Sequence, residues 1–119
     1  MSIQHFLPEH RYSEAVITNG LIFASGQIPT NPEASAKEQV SNVLEQIDTL
    51  LAKLNSDKTM IADAMIFLAD LSDYAALNEV WDGWVAPGKA PARTTVQAQL
   101  ADPKWKVEVK IVARQKTSN

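Results

Sequence analysis

Between Ser35 and Leu54 the apolar residues are Val40, Val43, Leu44, Ile47, Leu50, Leu51 and Leu54. Steps of three and four place them on one stripe of a helix, with Glu38, Gln39, Glu45, Gln46 and Lys53 turned mostly outward. Asn55-Ser56-Asp57-Lys58 ends that helix, and residues 61–68, IADAMIFL, have the length and apolar content of a buried strand. Asp70-Leu71-Ser72-Asp73 offers N-caps for a second helix carrying Tyr74, Leu77, Trp81, Trp84 and Val85, closed by Pro87-Gly88. Trp81 and Trp84, three apart, are expected to pack on a sheet.

The flanking segments alternate with a period of two. Residues 15–28, AVITNGLIFASGQI, read as two extended runs around Asn19-Gly20, a pair that tolerates positive φ and favours a tight hairpin. The run from Arg93 to Gln99 puts Arg93, Thr95, Gln97 and Gln99 on one side and Thr94, Val96 and Ala98 on the other. The run from Trp105 to Ile111 puts Trp105, Val107, Val109 and Ile111 on an apolar side and Glu108 opposite, between Lys106 and Lys110. The predicted order is β-β-α-β-α-β-β, an α+β fold with a mixed sheet and two helices on one face. The other face is read as polar, carrying Arg93, Thr95, Gln97 and Glu108, and suited to a wet contact with another subunit.

Composition narrows the chemistry. The 119 residues are 45% apolar and 21% charged, which suits one domain over 1–119. Absence of cysteine removes disulfides, thiolate nucleophiles and zinc-thiolate sites. His5 and His10 do not stand at ligand or triad spacing with further histidines, so no metal site is expected. The N-terminal residues lack the basic and apolar regions of a signal peptide, and no apolar run reaches a membrane span, so the expected location is the cytoplasm with no membrane partner. The net charge of −3 argues against a nucleic-acid partner. Charge is nonetheless uneven: residues 89–119 hold 7 of the 11 basic side chains and 2 of the 14 acidic ones. That tail could attract a small anion, or its lysines could merely guard a strand.

Two residues stand out as candidates. Arg93 follows the proline-stiffened segment Gly88-Lys89-Ala90-Pro91-Ala92, where a guanidinium can clamp a carboxylate through two parallel hydrogen bonds. Glu108 can orient or deprotonate a water near an acid so held. The residue pattern alone leaves open that both are ordinary surface or interface charges. Tyr12, before the first predicted strand, can reach a cleft or serve as a half-buried anchor. Nucleotide-loop, zinc-helix and nucleophile-elbow motifs are missing, so a cofactor-free reaction or simple ligand binding remains.

Three segments together resemble the Rid family, the YjgF-like reactive intermediate deaminases: Ser25-Gly26-Gln27-Ile28-Pro29, Ala90-Pro91-Ala92-Arg93-Thr94-Thr95-Val96 and Val107-Glu108-Val109. Ile66-Phe67-Leu68-Ala69-Asp70 and Thr95-Val96-Gln97-Ala98 resemble its YoaB-like branch. The resemblance implies a chorismate-mutase-like α+β fold, a homotrimer, and sites in the three clefts between subunits. It implies cofactor-free hydrolysis of enamines and 2-imino acids, such as 2-aminoacrylate, 2-iminopropanoate and 2-iminobutanoate, to 2-keto acids and ammonia. By the same resemblance Arg93 binds the substrate carboxylate and Glu108 positions the attacking water. Tyr12, Ser25, Gly26 and Thr95 match positions around the substrate. Lys89-Ala90-Pro91 stands where the family usually has an aromatic before the proline, so that segment supplies no aromatic wall. The alternative from another class is a non-catalytic trimeric module binding 2-keto or related small carboxylic acids in the same cleft; RNA cleavage, attributed to some relatives, is disfavoured by the acidic balance.

Overall fold

The long helix α1 (Ala36–Lys53) starts where the sequence supplies a capping box: Ser35 Oγ accepts from the Glu38 amide, and Glu38 Oε1 accepts from the Ser35 amide. Val40, Val43, Leu44, Ile47, Leu50 and Leu51 form its buried stripe, as the spacing predicts. Gln39 departs from the expectation that it turns outward. It is fully buried, with its amide nitrogen donating to the carbonyls of Pro32, Ala34 and Lys104 and its oxygen accepting from the Lys106 amide. Those bonds satisfy the side chain and fasten the first turn of α1 to the segment before the last strand.

The computed structural model describes residues 2–117. Its strands are β1 (Gln4–Pro8), β2 (Ser13–Thr18), β3 (Leu21–Ala24), β4 (Ile61–Leu68), β5 (Ala92–Gln97) and β6 (Val107–Arg114). They form one sheet in the order β1-β2-β3-β6-β4-β5, antiparallel throughout except for the parallel pair β4–β5. Asn19 and Gly20, at φ of 53° and 74°, make the β2–β3 turn with the backbone the sequence suggested. The helix α2 (Tyr74–Trp84) follows a short 3₁₀ turn, Leu71–Asp73, that Asp70 caps by accepting from the Ser72 amide. The mixed α+β arrangement is therefore as expected. The edge strand β1 was not expected, and Trp105 lies before β6 rather than within it.

One core lies between the sheet and both helices: Ala15, Ile22, Ala64, Ile66, Val109 and Ile111 meet the α1 stripe, Leu77 and Trp81. The opposite sheet face corrects the polar reading. Arg93 and Thr95 are in register with the buried Ala64 and Ile66, so they share the helix-covered side. The open side instead carries Leu21, Phe23, Met65, Phe67, Val96 and Val112 together with Glu108 and Lys110. Phe23 and Val96 are 38% and 39% exposed there. Large apolar side chains left exposed among charged ones mark this face as a candidate interaction surface. No helix among the described residues is long and apolar enough to cross a membrane.

Candidate functional site

Strand β5 is a free edge of the sheet, and its first turn of side chains meets α2. Arg93 Nη2 donates to Asn78 Oδ1 at 2.8 Å and to the Tyr74 hydroxyl at 3.2 Å. The guanidinium also lies over the Trp81 ring, 5.1 Å from its centroid, and 5.8 Å from that of Tyr74. Trp81 is in turn braced by Trp84, with ring centroids 5.2 Å apart, and Trp84 Nε1 donates to Asp48 on α1 at 3.0 Å. Every partner of Arg93 among the described residues is thus uncharged: an amide, a phenol and two rings. No carboxylate among the described residues pairs with it; the ion pairs among them run Lys37–Glu79, Lys104–Glu33 and Lys116–Asp57.

Arg93, Thr95, Leu71 and Tyr74 line a cavity of about 400 Å³. Thr95 Oγ1 is buried there without a hydrogen-bond partner, the sole such side-chain atom among the described residues. An orphaned buried hydroxyl carries a desolvation cost that a ligand atom would relieve. The aromatic wall of this cavity is Tyr74 from α2, not a residue of the segment preceding Arg93.

A second group forms where β2, β3 and β6 meet. From Phe23 to Gln27 the chain advances four residues while its partners run back only three, from Val112 to Val109. The extra residue makes a bulge at Ser25-Gly26, a device that re-aims side chains beside sites. A Cβ on Gly26 would collide with the Glu108 carboxylate and come within 2.9 Å of its carboxyl carbon. Glycine is therefore required for Glu108 to lie across the bulge. Ser25 Oγ donates to the Ser13 carbonyl at 2.5 Å, tying the bulge to the start of β2, one residue after Tyr12. Gln27, almost fully buried, holds the other side by donating to Glu14 Oε1 and the Ser25 carbonyl, each at 3.1 Å. Tyr12 is exposed and donates to Glu9 at 3.4 Å; the nearby Glu9 carboxylate holds its phenol above the ordinary tyrosine pKa, so it stays neutral.

The chain thus brings Ser25, Gly26 and Glu108 together with Tyr12 nearby, and Arg93 with Thr95, but it does not join the two groups. Arg93 is level with Ile111, two strands and three residues from Glu108. Strand spacing and rise put their Cα atoms roughly 14 Å apart, with side chains on opposite faces. Sequence reasoning named Thr95 but missed Tyr74 and Asn78 as partners of Arg93. Tyr74 and Asn78 sit four apart on one face of α2, a spacing that could have flagged them. No cluster of three or more metal-ligating side chains occurs among the described residues. Another cavity, of about 480 Å³, lies between the β1–β2 hairpin and α1 and holds none of the candidates.

Comparison with known proteins places the chain. Residues 2–115 match the family profile described as Endoribonuclease L-PSP. The RutC family protein YoaB of Escherichia coli is 51% identical over 113 residues, covering 95% of this chain and 98% of that protein. A protein of Arabidopsis thaliana named Reactive Intermediate Deaminase A, chloroplastic, is 31% identical over 86% of this chain and 57% of its own length. The crystal structure of a YjgF-family protein from Neisseria meningitidis superimposes with a TM-score of 0.96 at 52% identity, covering 99% and 98% of the two chains. With profile, sequence and fold in agreement over nearly the whole chain, this protein belongs to the YjgF/RutC family.

Proposed function

We propose that this protein hydrolyses small 2-imino and enamino acids to 2-keto acids and ammonia without a cofactor, at sites shared between neighbouring subunits of a homotrimer. The observation that carries the reading is the state of Arg93: oriented by neutral groups, uncompensated by any acid among the described residues, and set in a small cavity beside an unpartnered hydroxyl. A guanidinium held that way is ready to receive a carboxylate on two parallel bonds. The separation of Arg93 from Glu108 within one chain supports a site completed by a second copy, and the apolar open face of the sheet gives that copy a surface to bury.

In this reading Arg93 and Thr95 of one chain hold the substrate carboxylate, while Tyr12, Ser25, Gly26 and Glu108 of the neighbour surround the reacting carbon. Glu108 accepts a proton from water as the water oxygen bonds to the imine carbon. It returns that proton to the imine nitrogen to give a carbinolamine, then takes the hydroxyl proton and passes it to the amino nitrogen as the C–N bond breaks and the C=O bond forms, so ammonia leaves a 2-keto acid. An enamine reaches the same imine by taking a proton on its terminal carbon. Orientation and one acid–base group suffice for so reactive a bond.

The test generates imines from several amino acids with an amino-acid oxidase and follows their decay with and without the protein. Wild type accelerates decay, and Glu108→Gln slows it by about 10²–10⁴-fold while keeping its affinity for 2-oxobutanoate. An unchanged rate in Glu108→Gln sinks the mechanism. Tight 2-oxobutanoate binding with no acceleration by wild type establishes the binding module instead.

A further inference from the structure

An arginine partly buried beside a helix ordinarily pairs with an acid, because an aspartate or glutamate both accepts its hydrogen bonds and cancels its charge. At Arg93 the accepting position is filled by Asn78, isosteric with aspartate but neutral, at 2.8 Å. The second acceptor on the same nitrogen is again neutral, the Tyr74 hydroxyl, and the flat face rests on Trp81. Both bonds fall on Nη2, so Nε and Nη1 keep their donors unengaged among the described residues. Asn78 and Tyr74 stand one helical turn apart on α2, and Trp81 three residues further, so one helix face supplies the whole mount.

We infer that Asn78 is a positioning residue for anion capture: it fixes the plane of the Arg93 guanidinium while leaving its charge uncompensated for the substrate carboxylate. The inference rests on the proposed role of Arg93 and adds to it the reason that role is available. A carboxylate at position 78 keeps the hydrogen bond and removes the function; a methyl removes the bond and leaves the charge free to wander.

The two changes therefore separate positioning from plain structural support. In Asn78→Asp the new carboxylate competes with the ligand for one guanidinium, so calorimetric affinity for 2-oxobutanoate falls by about a hundredfold while the melting temperature holds or rises. In Asn78→Ala affinity falls by about tenfold, the effect of losing one charge-assisted bond that orients the fork. In the imine-decay assay both raise KM with kcat nearly unchanged, because the carboxylate is held equally in ground and transition states. Wild-type affinity and KM in both variants, alongside loss of binding in Arg93→Ala, overturns the role of Asn78 and leaves that of Arg93 standing. A lowered melting temperature in Asn78→Ala with unchanged KM likewise makes Asn78 merely structural. Full 2-oxobutanoate affinity in Arg93→Ala overturns both readings at once.

Discussion

Gly26 and Glu108 occupy adjoining space, and the absence of a single methyl lets the carboxylate lie across the Ser25-Gly26 bulge. Gly26→Ala is accordingly expected to push the carboxylate away, lowering the imine-decay rate to near the Glu108→Gln level while Arg93-dependent affinity for 2-oxobutanoate persists. A wild-type rate in Gly26→Ala contradicts the seating of Glu108. Asp70 offers a different check. Its bond from the Ser72 amide holds its pKa below the ordinary carboxylate value, so its cap is worth most above about pH 3.9 and is lost as pH falls through the lower folded-state value. Asp57, with a pKa lowered chiefly by its bond from Thr59, behaves alike. Melting temperature measured from pH 6 down to pH 2 should therefore fall on the acid side, and Asp70→Asn should flatten that limb; an unaltered limb assigns the acid loss to other carboxylates. Arg93, Thr95 and Glu108 could be singled out as candidates in the sequence. Their side of the sheet was not legible there: alternation groups Arg93 with Thr95 and Gln97 correctly, but which group faces the helices depends on α2 offering Asn78 and Tyr74 to Arg93, and on the 3₁₀ turn before it offering the Leu71 amide to Gln97 Oε1 at 2.8 Å.

At the level of elements, strong periodicity and caps made the boundaries readable. The expected helix from Ser35 to Leu54 matches α1 with Ser35 and Leu54 as its caps, because one apolar stripe and one capping box agree. Ser35→Ala should cost about 1 kcal/mol of stability in chemical denaturation, with the folded-state rate unchanged. A loss near zero means the Pro32 and Ala34 contacts of Gln39 already hold the first turn. Strand β1 escaped notice for physical reasons. It is an edge strand pairing only with β2, it ends in Pro8, and Leu7 takes a φ of 48°, so it shows neither alternation nor high strand propensity. The bulge just after β3 escaped for a related reason, since one extra residue is invisible until the partner strand is known.

On the scale of the whole molecule, the last strand in sequence, β6, inserts between β3 and β4, which places Glu108 centrally while Arg93 stays on the edge strand β5. Local pattern cannot disclose such an order, because it depends on pairings between segments far apart in the chain. The apolar open face leads to a prediction: light scattering gives a trimer at micromolar concentration, and Phe23→Glu yields a smaller, still folded species without imine-decay activity. A monomeric wild type contradicts the shared-site account. The most direct measurement uses the separation of Arg93 from Glu108. Arg93→Ala and Glu108→Gln chains, each inactive alone, are co-expressed with different tags and mixed trimers are isolated. In a cyclic trimer each interface joins two different patches, so a mixed trimer of either composition rebuilds about one of its three sites with both residues intact. The account predicts recovery of about that fraction of wild-type activity; mixed trimers no more active than the separate variants would show that Arg93 and Glu108 do not meet across subunits.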